Sequence, residues 1–290
     1  MRADLHCHTT LSDGSLGIGE LISQAKRNKL DWIAITDHDT LSSSSRAQVL
    51  GKRHGVNVLP AVEISTYDGV RRNKVHLLCY NPKNPDRLEG LCFRTLEARK
   101  NRGLALANKV IKIYPTITLE NIAKYASGSK AIYKCHIMHA LMDYGYTTEL
   151  YGEVYHELFS ADRGLCKEIV KNEIDEYPEV KFVSRLIHSA GGIAVLAHPT
   201  VYGNLELLEE LASNGLIDGV EVWHRSIVKR DDSEKLKEHM LEIAKKYDLI
   251  TTGGSDFHGF YNHYATSPGD FITPPESLER ILQFKKSKIV

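Results

Sequence analysis

Short apolar runs alternate with helical patterns along much of the chain. The stretches "ADLHCHT", "DWIAITDHD", "VNVLPAVEIS" and "KVHLLCYN" predict strands. Between them, "LGIGELISQAKRNKL" places Leu21, Ile22 and Ala25 on one helical face, and "SSSSRAQVLGKRHG" predicts a serine-capped helix ending near Gly55. Strands that alternate with helices predict an α/β fold with a parallel sheet, open or closed into a barrel.

This alternation stops in the middle third of the chain, where helical patterns dominate. "LEGLCFRTLEARKNRGLALANKVIKIY" is charged and amphipathic, "AIYKCHIMHALMDYGY" predicts a helix that stops near Gly145, and "EVKFVSRLIHSAGG" is mostly helical. Strands return with "GIAVLAHP", "GVEVWH" and "LITTGGSDFHG". The pattern predicts one α/β domain formed by residues 1–81 and 186–290, with residues 82–185 as a helical insertion.

Composition narrows the classes of protein. The chain has 290 residues, 42% of them apolar, and a formal net charge of zero. Zero net charge disfavours a broad electrostatic surface for nucleic acid, so we expect no stable nucleic-acid complex. No apolar run reaches the roughly 18 residues of a membrane span, and no signal peptide precedes the first strand. We therefore expect a cytoplasmic protein that makes no membrane contact.

The cysteines are few and scattered. The five are Cys7, Cys79, Cys92, Cys135 and Cys166. Without any CxxC pair, they predict reduced thiols rather than disulfides or a zinc finger.

Histidine is over-represented, and its positions are informative. The 14 histidines are about twice the number expected for this length. Ligands collect at the carboxyl ends of strands in parallel α/β folds, and potential metal ligands stand at the end of the predicted strands here. These residues are His6, His8, Asp37, His38, Asp39, Glu63, His76, His198, Asp256 and His258.

Spacing supports a joint role for these residues. Side chains two apart in a strand face the same side, so His6 and His8 point together while Cys7 points away. The same spacing relates Asp256 and His258. A single histidine at a strand end is more often structural than a ligand, and Asp13 in "LSDGS" is alone an ordinary turn residue. Together, however, the pattern predicts a metal site, because a buried carboxylate such as Glu63 needs a partner.

The other histidines carry no such pattern. We expect six of them to be surface or packing residues: His54, His139, His156, His188, His239 and His263. His136 and His224 are left open between packing and function.

These motifs, in this order, resemble the PHP (polymerase and histidinol phosphatase) superfamily over nearly the whole chain. The matching segments are the HxH pair, "SDG", "TDHDT", "PAVEIS", "LAHP" and "GSDFHG". The segment "YKCHIMHALMDYGY" also resembles the "GRPHIARALVEAG"-type helix of TrpH-like phosphoesterases. The resemblance implies that residues 1–81 and 186–290 form a distorted (β/α)7 TIM-like barrel, with residues 82–185 as a helical insertion that caps the active site. It also implies a centre of two or three divalent metal ions.

The resemblance also implies how the ligands are divided. His6, His8, Glu63 and Asp256 would hold one metal; Glu63 would bridge to a second, held also by His76 and His198; Asp13, His38 and His258 would hold a third. Asp37 and Asp39 are expected to orient His38 or to contact the loop. Imidazoles suit zinc, iron or manganese and carboxylates suit manganese or magnesium, so the mixed set selects no single metal.

Two features depart from the family pattern. Lys134 stands where the family has an arginine, and "ADRGLCKEI" differs from the family's "GKPAYV"-like stretch. Lys134 and Arg225 are candidates for contacting a second phosphate or the leaving group. Their alternative role is that of exposed surface charges.

Charge at the site favours a phosphate ester as substrate. Three divalent ions, three carboxylates and a bridging hydroxide leave about two positive charges, which a phosphate monoester dianion neutralises and an amide does not. A metal-bound hydroxide would attack phosphorus in line. His224 is a candidate to protonate the leaving alkoxide.

The sequence therefore predicts a metal-dependent phosphoesterase acting on a small phosphorylated metabolite. The resemblance implies a nucleotide: a nucleoside 5′-monophosphate, a 3′,5′-bisphosphate or a short oligonucleotide degraded from its 5′ end. Histidinol-phosphate phosphatase is the alternative among phosphatases. A non-catalytic metal-binding PHP interaction module is the alternative from another class, disfavoured by the presence of Asp13 and His258. An amide hydrolase on the same barrel is a third, disfavoured by the charge at the site.

Overall fold

Seven strands form one sheet, in which they follow one another in chain order. The computed structural model describes residues 1–228 and 230–284. The strands are β1 (Ala3–Cys7), β2 (Trp32–Ile35), β3 (Asn57–Asp68), β4 (Asn73–Tyr80), β5 (Ile193–Leu196), β6 (Gly219–Trp223) and β7 (Ile250–Gly253). Five lie within the apolar runs that predict strands, whereas β3 continues three residues beyond its predicted run and β4 begins one residue before its own.

One strand runs against the others, and the prediction of a wholly parallel sheet is wrong for it. β1, β2 and β3 pair in parallel, as do β5, β6 and β7. β4 is antiparallel to both β3 and β5. Residues 69–72 alone separate β3 from β4, which is too short for the crossover helix that a parallel connection needs.

The sheet curves into a nearly closed barrel. Cys7 at the end of β1 forms a bridge with Phe257, just beyond β7, and the His8 amide donates to the Phe257 carbonyl at 2.8 Å. The predicted TIM-like barrel of seven strands is confirmed.

The first two helices form as their sequences predict. α1 (Ile18–Arg27) buries Leu21, Ile22 and Ala25, the residues of its predicted apolar face. α2 (Ser44–His54) ends at Gly55, whose φ of 70° is the left-handed conformation that glycine adopts readily at a helix C-terminus.

Helices fill the long connection between β4 and β5. They are α3 (Asp86–Ile113), α4 (Leu119–Ala123), α5 (Lys134–Asp143), α6 (Glu153–Phe159), α7 (Lys167–Lys171) and α8 (Val180–Ser189), with 3₁₀ helices at Lys124–Ala126 and Asn172–Glu176. Leu106, Ile137 and Leu141 belong to a separate apolar cluster within this connection. Val183 and Ile187 of α8 instead pack with barrel residues. The predicted limit at residue 185 falls inside α8, and the domain limits stay a prediction.

The remaining helices follow β5, β6 and β7. They are α9 (Leu205–Ser213), α10 (Arg225–Val228), α11 (Ser233–Lys246) and α12 (Pro275–Gln283), with a 3₁₀ helix at Gly259–Tyr261. α11 buries Met240, Ile243 and Ala244.

Apolar side chains fill the inside of the barrel. Leu5 of β1 and Val195 of β5 share one buried cluster although their strands are not neighbours in the sheet. Tyr80 crosses the same interior and its hydroxyl donates to the Leu5 carbonyl at 2.9 Å. The five cysteines are free and buried, in agreement with the prediction of thiols. Within residues 1–228 and 230–284, the structure contains no helix long and apolar enough to cross a membrane.

Candidate metal centre and its cavity

The barrel brings the nine predicted metal ligands together. Most stand at or just beyond strand ends, whereas Glu63 and His76 lie within β3 and β4, where these strands extend past their neighbours. Their side chains form three overlapping groups: His6, His8, Glu63 and Asp256; His38, Glu63 and His76; and His8, Asp13, His38 and His258. Within each group, one ligand atom from every residue lies within 4.8 Å of the others. His198 joins them through Glu63.

Glu63 connects the first two groups through its two carboxylate oxygens. Oε2 lies 3.2 Å from His6 Nε2 and 3.1 Å from His8 Nε2. Oε1 lies 2.7 Å from His76 Nδ1 and 2.9 Å from His198 Nε2. One oxygen therefore faces His6 and His8 and the other faces His76 and His198, the arrangement that a bridging carboxylate requires.

The third group centres on Asp13. Its Oδ1 lies 3.4 Å from His258 Nε2, and its Oδ2 lies 3.6 Å from His38 Nε2. His8 Nδ1 is also 3.6 Å from Asp13 Oδ1, so the structure adds His8 to the three residues that the sequence groups here.

The chemistry of this cluster fits divalent cations. Five of its buried atoms have no hydrogen-bond partner among the described residues: His6 Nε2, His8 Nε2, Asp13 Oδ1, His38 Nδ1 and His198 Nδ1. Unpaired polar atoms are costly in a protein interior. A set of inward-facing imidazole nitrogens and carboxylate oxygens is the donor set that divalent transition metals bind.

The surroundings of two carboxylates in the cluster favour their ionised forms. Burial opposes ionisation of Glu63, but the nearby imidazoles of His76, His38 and His6 outweigh it and hold its pKa well below the usual range. Burial likewise opposes ionisation of Asp256, and His6 and His258 hold its pKa well below normal. Both groups therefore carry the negative charge that a cation ligand needs.

A buried glutamate that the sequence analysis missed holds two of the histidines. Glu221 on β6 is fully buried, and its Oε1 lies 3.0 Å from His6 Nδ1. Its Oε2 accepts a hydrogen bond from the His198 amide at 2.9 Å. Such partners fix the orientation of metal-binding imidazoles. The sequence pattern could have identified Glu221, because "GVEVW" resembles "PAVEIS" in placing an acidic residue inside an apolar strand.

The two aspartates that flank His38 hold neighbouring parts of the chain. Asp37 accepts hydrogen bonds from the Thr9 amide, the Thr9 hydroxyl and the Ser12 hydroxyl, at 2.6 to 2.8 Å, in the loop after β1. Asp39 accepts from the Ser65 amide at 2.9 Å, within β3. Asp37 thus makes the expected loop contact, whereas Asp39 contacts a strand.

The backbone is constrained at this end of the barrel. Asp256 has a φ of 49° and His198 a φ of 26°, in the left-handed region that non-glycine residues rarely adopt. Gly254 lies so close to β1 that an added Cβ would be 2.3 Å from the Cβ of His6. Such strain is typical of functional sites that the surrounding structure holds in place.

The cluster forms part of the wall of a cavity of about 450 Å³. Lys134 and Arg225, the predicted substrate-binding residues, both line it. So do three cationic residues that the sequence analysis missed: Lys74, Arg99 and Arg102. Lys74 could have been identified from the sequence, because it lies two residues before His76 and shares a strand face with it. The helical pattern of α3 could not show which face turns toward the site.

Glu173 partly neutralises this cationic wall. Its carboxylate lies 2.6 Å from Lys74 Nζ and 3.7 Å from Lys134 Nζ, and the Tyr177 hydroxyl donates to it at 2.7 Å. Arg102 pairs with Glu176, and Arg99 pairs with Asp39 at 3.0 Å. Lys134 Nζ is farther from Glu173 than Lys74 Nζ is, at 3.7 Å against 2.6 Å, so of these two amino groups it is the one better placed to meet an anionic ligand.

Arg225 and His224 follow β6. Arg225 donates to the Thr266 hydroxyl, and its guanidinium lies 4.4 Å from the centre of the Tyr264 ring. His224 does not line the cavity. Its Nε2 lies 3.4 Å from Asp256 Oδ2 and its Nδ1 lies 2.8 Å from the Ser226 hydroxyl. This geometry favours holding Asp256 over reaching a leaving group, and the acid role stays a prediction.

Comparison with known proteins identifies the family. Residues 4–250 match the model of the PHP domain. The chain belongs to the PHP domain family. This PHP chain is 33% identical over 260 residues to the phosphoribosyl 1,2-cyclic phosphate 1,2-diphosphodiesterase of Eggerthella lenta, a match that covers 89% of the chain and 95% of that protein.

Other relatives are more distant but equally extensive. The PHP chain is 26% identical to a 5′-3′ exoribonuclease of Haemophilus influenzae, covering 88% of the chain and 89% of that enzyme. It is 27% identical to the 3′,5′-nucleoside bisphosphate phosphatase of Chromobacterium violaceum, covering 88% and 86%.

A solved structure supports the fold and the class of enzyme. A Bifidobacterium adolescentis protein assigned as a metal-dependent phosphoesterase superposes with a TM-score of 0.79 and 28% identity, over 97% of this chain and 95% of that one. The predicted family, barrel and hydrolase class are confirmed. The PHP chain is a metal-dependent phosphoesterase.

Proposed function

We propose that this PHP chain hydrolyses a phosphate ester on a ribose-containing metabolite, most simply a nucleotide. The observation that carries the proposal is the shared position of Glu63, which faces two ligand groups in one cavity with Lys134 on its wall. The names of all three relatives support it, since each describes a phosphate ester of ribose, a nucleoside or RNA.

The ligand groups would hold two or three divalent ions, and manganese, zinc, iron and magnesium all suit the donor set. His6, His8, Glu63 and Asp256 are proposed for the first ion, Glu63, His76 and His198 for the second, and Asp13, His38 and His258 for the third. Divalent ions bound there would polarise the phosphoryl oxygens and supply a hydroxide nucleophile at neutral pH.

The residues around these groups have separate tasks. Glu221 and His224 position His6 and Asp256, through the contacts described above. Lys134 would bind an anionic group of the substrate away from the reacting phosphate. Arg225, which also lines the cavity just after β6, would contact the substrate as well.

The helical connection is proposed to cap the site. Lys134 and Tyr133 from α5 and its N-cap, and Tyr177 before α8, line the same cavity as His38 and Glu63 of the barrel. A cap of this kind would limit the access of water to the reacting phosphate. We assign residues 82–185 to it.

A phosphoribosyl cyclic phosphate is the second candidate substrate. The relative that acts on it shares 33% identity with this chain, against 26% and 27% for the relatives that act on RNA and nucleoside bisphosphates. Histidinol phosphate, an amide and a non-catalytic role are less favoured, because the ligand set is complete and none of the three relatives is named for them.

Phosphate release from a panel of substrates tests the proposal. The panel is AMP, adenosine 3′,5′-bisphosphate, phosphoribosyl 1,2-cyclic phosphate, a short 5′-phosphorylated oligonucleotide, histidinol phosphate and p-nitrophenyl phosphate, each with manganese. We expect the ribose phosphates to exceed the last two, with release abolished by Asp256→Asn and kept in the surface control Glu209→Gln. Turnover of histidinol phosphate alone would contradict the proposed substrate class.

The expected location is the cytoplasm. The five free, buried cysteines are consistent with a reducing compartment. Fractionation of the source cells tests this, and recovery of the protein with the membrane or outside the cell would contradict it.

A further inference from the structure

Three aromatic side chains form one part of the cavity wall. The imidazole of His263 stacks on the ring of Tyr151, with centroids 3.5 Å apart and planes inclined by 20°. The ring of Tyr155 meets that of Tyr151 nearly edge-on, at 5.1 Å. All three residues line the cavity, and His263 is the exposed member. We call Tyr151, Tyr155 and His263 the aromatic wall.

This wall is held at a fixed position relative to the candidate metal centre. Asn262 accepts a hydrogen bond from the His258 amide at 2.6 Å and donates to the Thr266 carbonyl at 3.2 Å. The Tyr151 hydroxyl donates to the Tyr261 carbonyl at 2.7 Å. The loop that carries the predicted ligand His258 therefore also carries His263 and anchors Tyr151.

The aromatic wall contains no lysine or arginine. The cationic side chains Lys74, Arg102 and Lys134 supply that chemistry elsewhere in the same cavity. One face of the His263 ring packs on Tyr151, and the exposed remainder of the ring offers a flat surface. A flat aromatic surface beside a phosphate site suits a planar heteroaromatic ring, since every nucleobase has a π-face that stacks.

We propose that the aromatic wall binds the nucleobase of the substrate, which stacks on His263, and that it selects nucleotides over ribose phosphates without a base. The inference rests on the proposed function and deepens it, because it decides between a nucleotide and a phosphoribosyl sugar. Stacking tolerates different bases, so selection acts on the presence of a base more than on its identity.

The ratio of kcat/KM for AMP to that for ribose 5-phosphate measures this selection directly. The two compounds share the ribose and the 5′-phosphate and differ in the base. In His263→Ala we expect the ratio to fall about tenfold, mainly through a higher KM for AMP. His263→Phe should keep the ratio, because phenylalanine stacks without an imidazole nitrogen. His239→Ala, an exposed histidine on α11, is the matched control and should keep it as well.

Binding separates failure of this inference from failure of the proposed function. Calorimetric affinities of AMP and ribose 5-phosphate for the manganese-loaded wild type and His263→Ala give the same ratio without any turnover. A selective loss of AMP affinity supports the aromatic wall even if neither compound is hydrolysed. An unchanged ratio, or an equal loss for both compounds, overturns the inference.

Discussion

Glu221 Oε1 lies 3.0 Å from His6 Nδ1, and both residues are fully buried inside the barrel. The contact leaves His6 Nε2 directed toward Glu63 and Asp256, at 3.2 Å and 3.4 Å. A carboxylate behind a ligand histidine fixes both the tautomer and the ring orientation of that histidine. The metal centre thus depends on a residue that does not itself face the cavity.

Glu221→Gln should weaken metal binding without unfolding the chain. The amide keeps the size of the side chain but accepts less strongly from His6, so we expect manganese affinity to fall by about 10- to 100-fold. Calorimetric titration of manganese into the chelator-treated protein measures this affinity. Glu209→Gln, at the surface, is the matched control. Wild-type affinity in Glu221→Gln would show that the contact does not position His6.

Lys134 and Glu173 should act in opposite directions on a second anionic group of the substrate. Lys134→Met removes the amino group and should raise the KM for adenosine 3′,5′-bisphosphate about tenfold, with a smaller effect on AMP. Glu173→Gln removes the charge that competes for Lys134, 3.7 Å away, and should lower that KM.

The ratio of kcat/KM values for the two nucleotides, measured in both variants, checks this prediction. The surface variant Lys235→Met serves as control. A parallel change with both nucleotides would show that Lys134 does not meet a second anionic group.

Gly254→Ala should disrupt the site more than the fold. A Cβ at this position would lie 2.3 Å from the Cβ of His6, so β1 or the loop must move by several tenths of an ångström. We expect loss of most metal-dependent activity, with retention of the circular dichroism spectrum. Gly19→Ala on α1, where the nearest atom lies 3.9 Å from the added Cβ, tests the effect of alanine itself. Full activity in Gly254→Ala would contradict the close packing.

Much of the site was readable from sequence, because strand ends and a two-residue period place ligands without knowledge of the fold. His6, His8 and Cys7 follow that rule. The antiparallel direction of β4 was not predicted, because a tight hairpin rather than a helix links it to β3. Arg99 was missed for a different reason: the amphipathic pattern of α3 shows that the helix has two faces, but not which face meets the barrel.

His136 should make stability depend on pH. It is buried, and its Nδ1 accepts a hydrogen bond from the Tyr133 amide at 3.1 Å. Burial lowers its pKa to about 4. In the unfolded chain the His136 imidazole binds a proton near pH 6.5. The contribution of neutral His136 to the stability of the fold is therefore fully present above that pH and is lost as pH falls toward 4. The loss amounts to about 3 kcal/mol.

Urea unfolding of wild type and His136→Asn between pH 7 and pH 4 measures this contribution. The asparagine oxygen is still a hydrogen-bond acceptor but does not titrate. As pH falls, the unfolding free energy of the wild type should therefore decrease relative to that of the variant. His239→Asn is the exposed control. A constant difference across the range would show that His136 is not held neutral.

Metal removal tests the central claim most directly. Phosphate release from adenosine 3′,5′-bisphosphate is measured before chelation, after chelation and dialysis, and after manganese is added back, in wild type and in Glu63→Gln. We predict loss on chelation and recovery with manganese in the wild type, and in Glu63→Gln a lower metal content with activity reduced at least a thousandfold, about 4 kcal/mol. Undiminished release from the metal-free protein, or from Glu63→Gln, would contradict a metal-dependent phosphoesterase centred on Glu63.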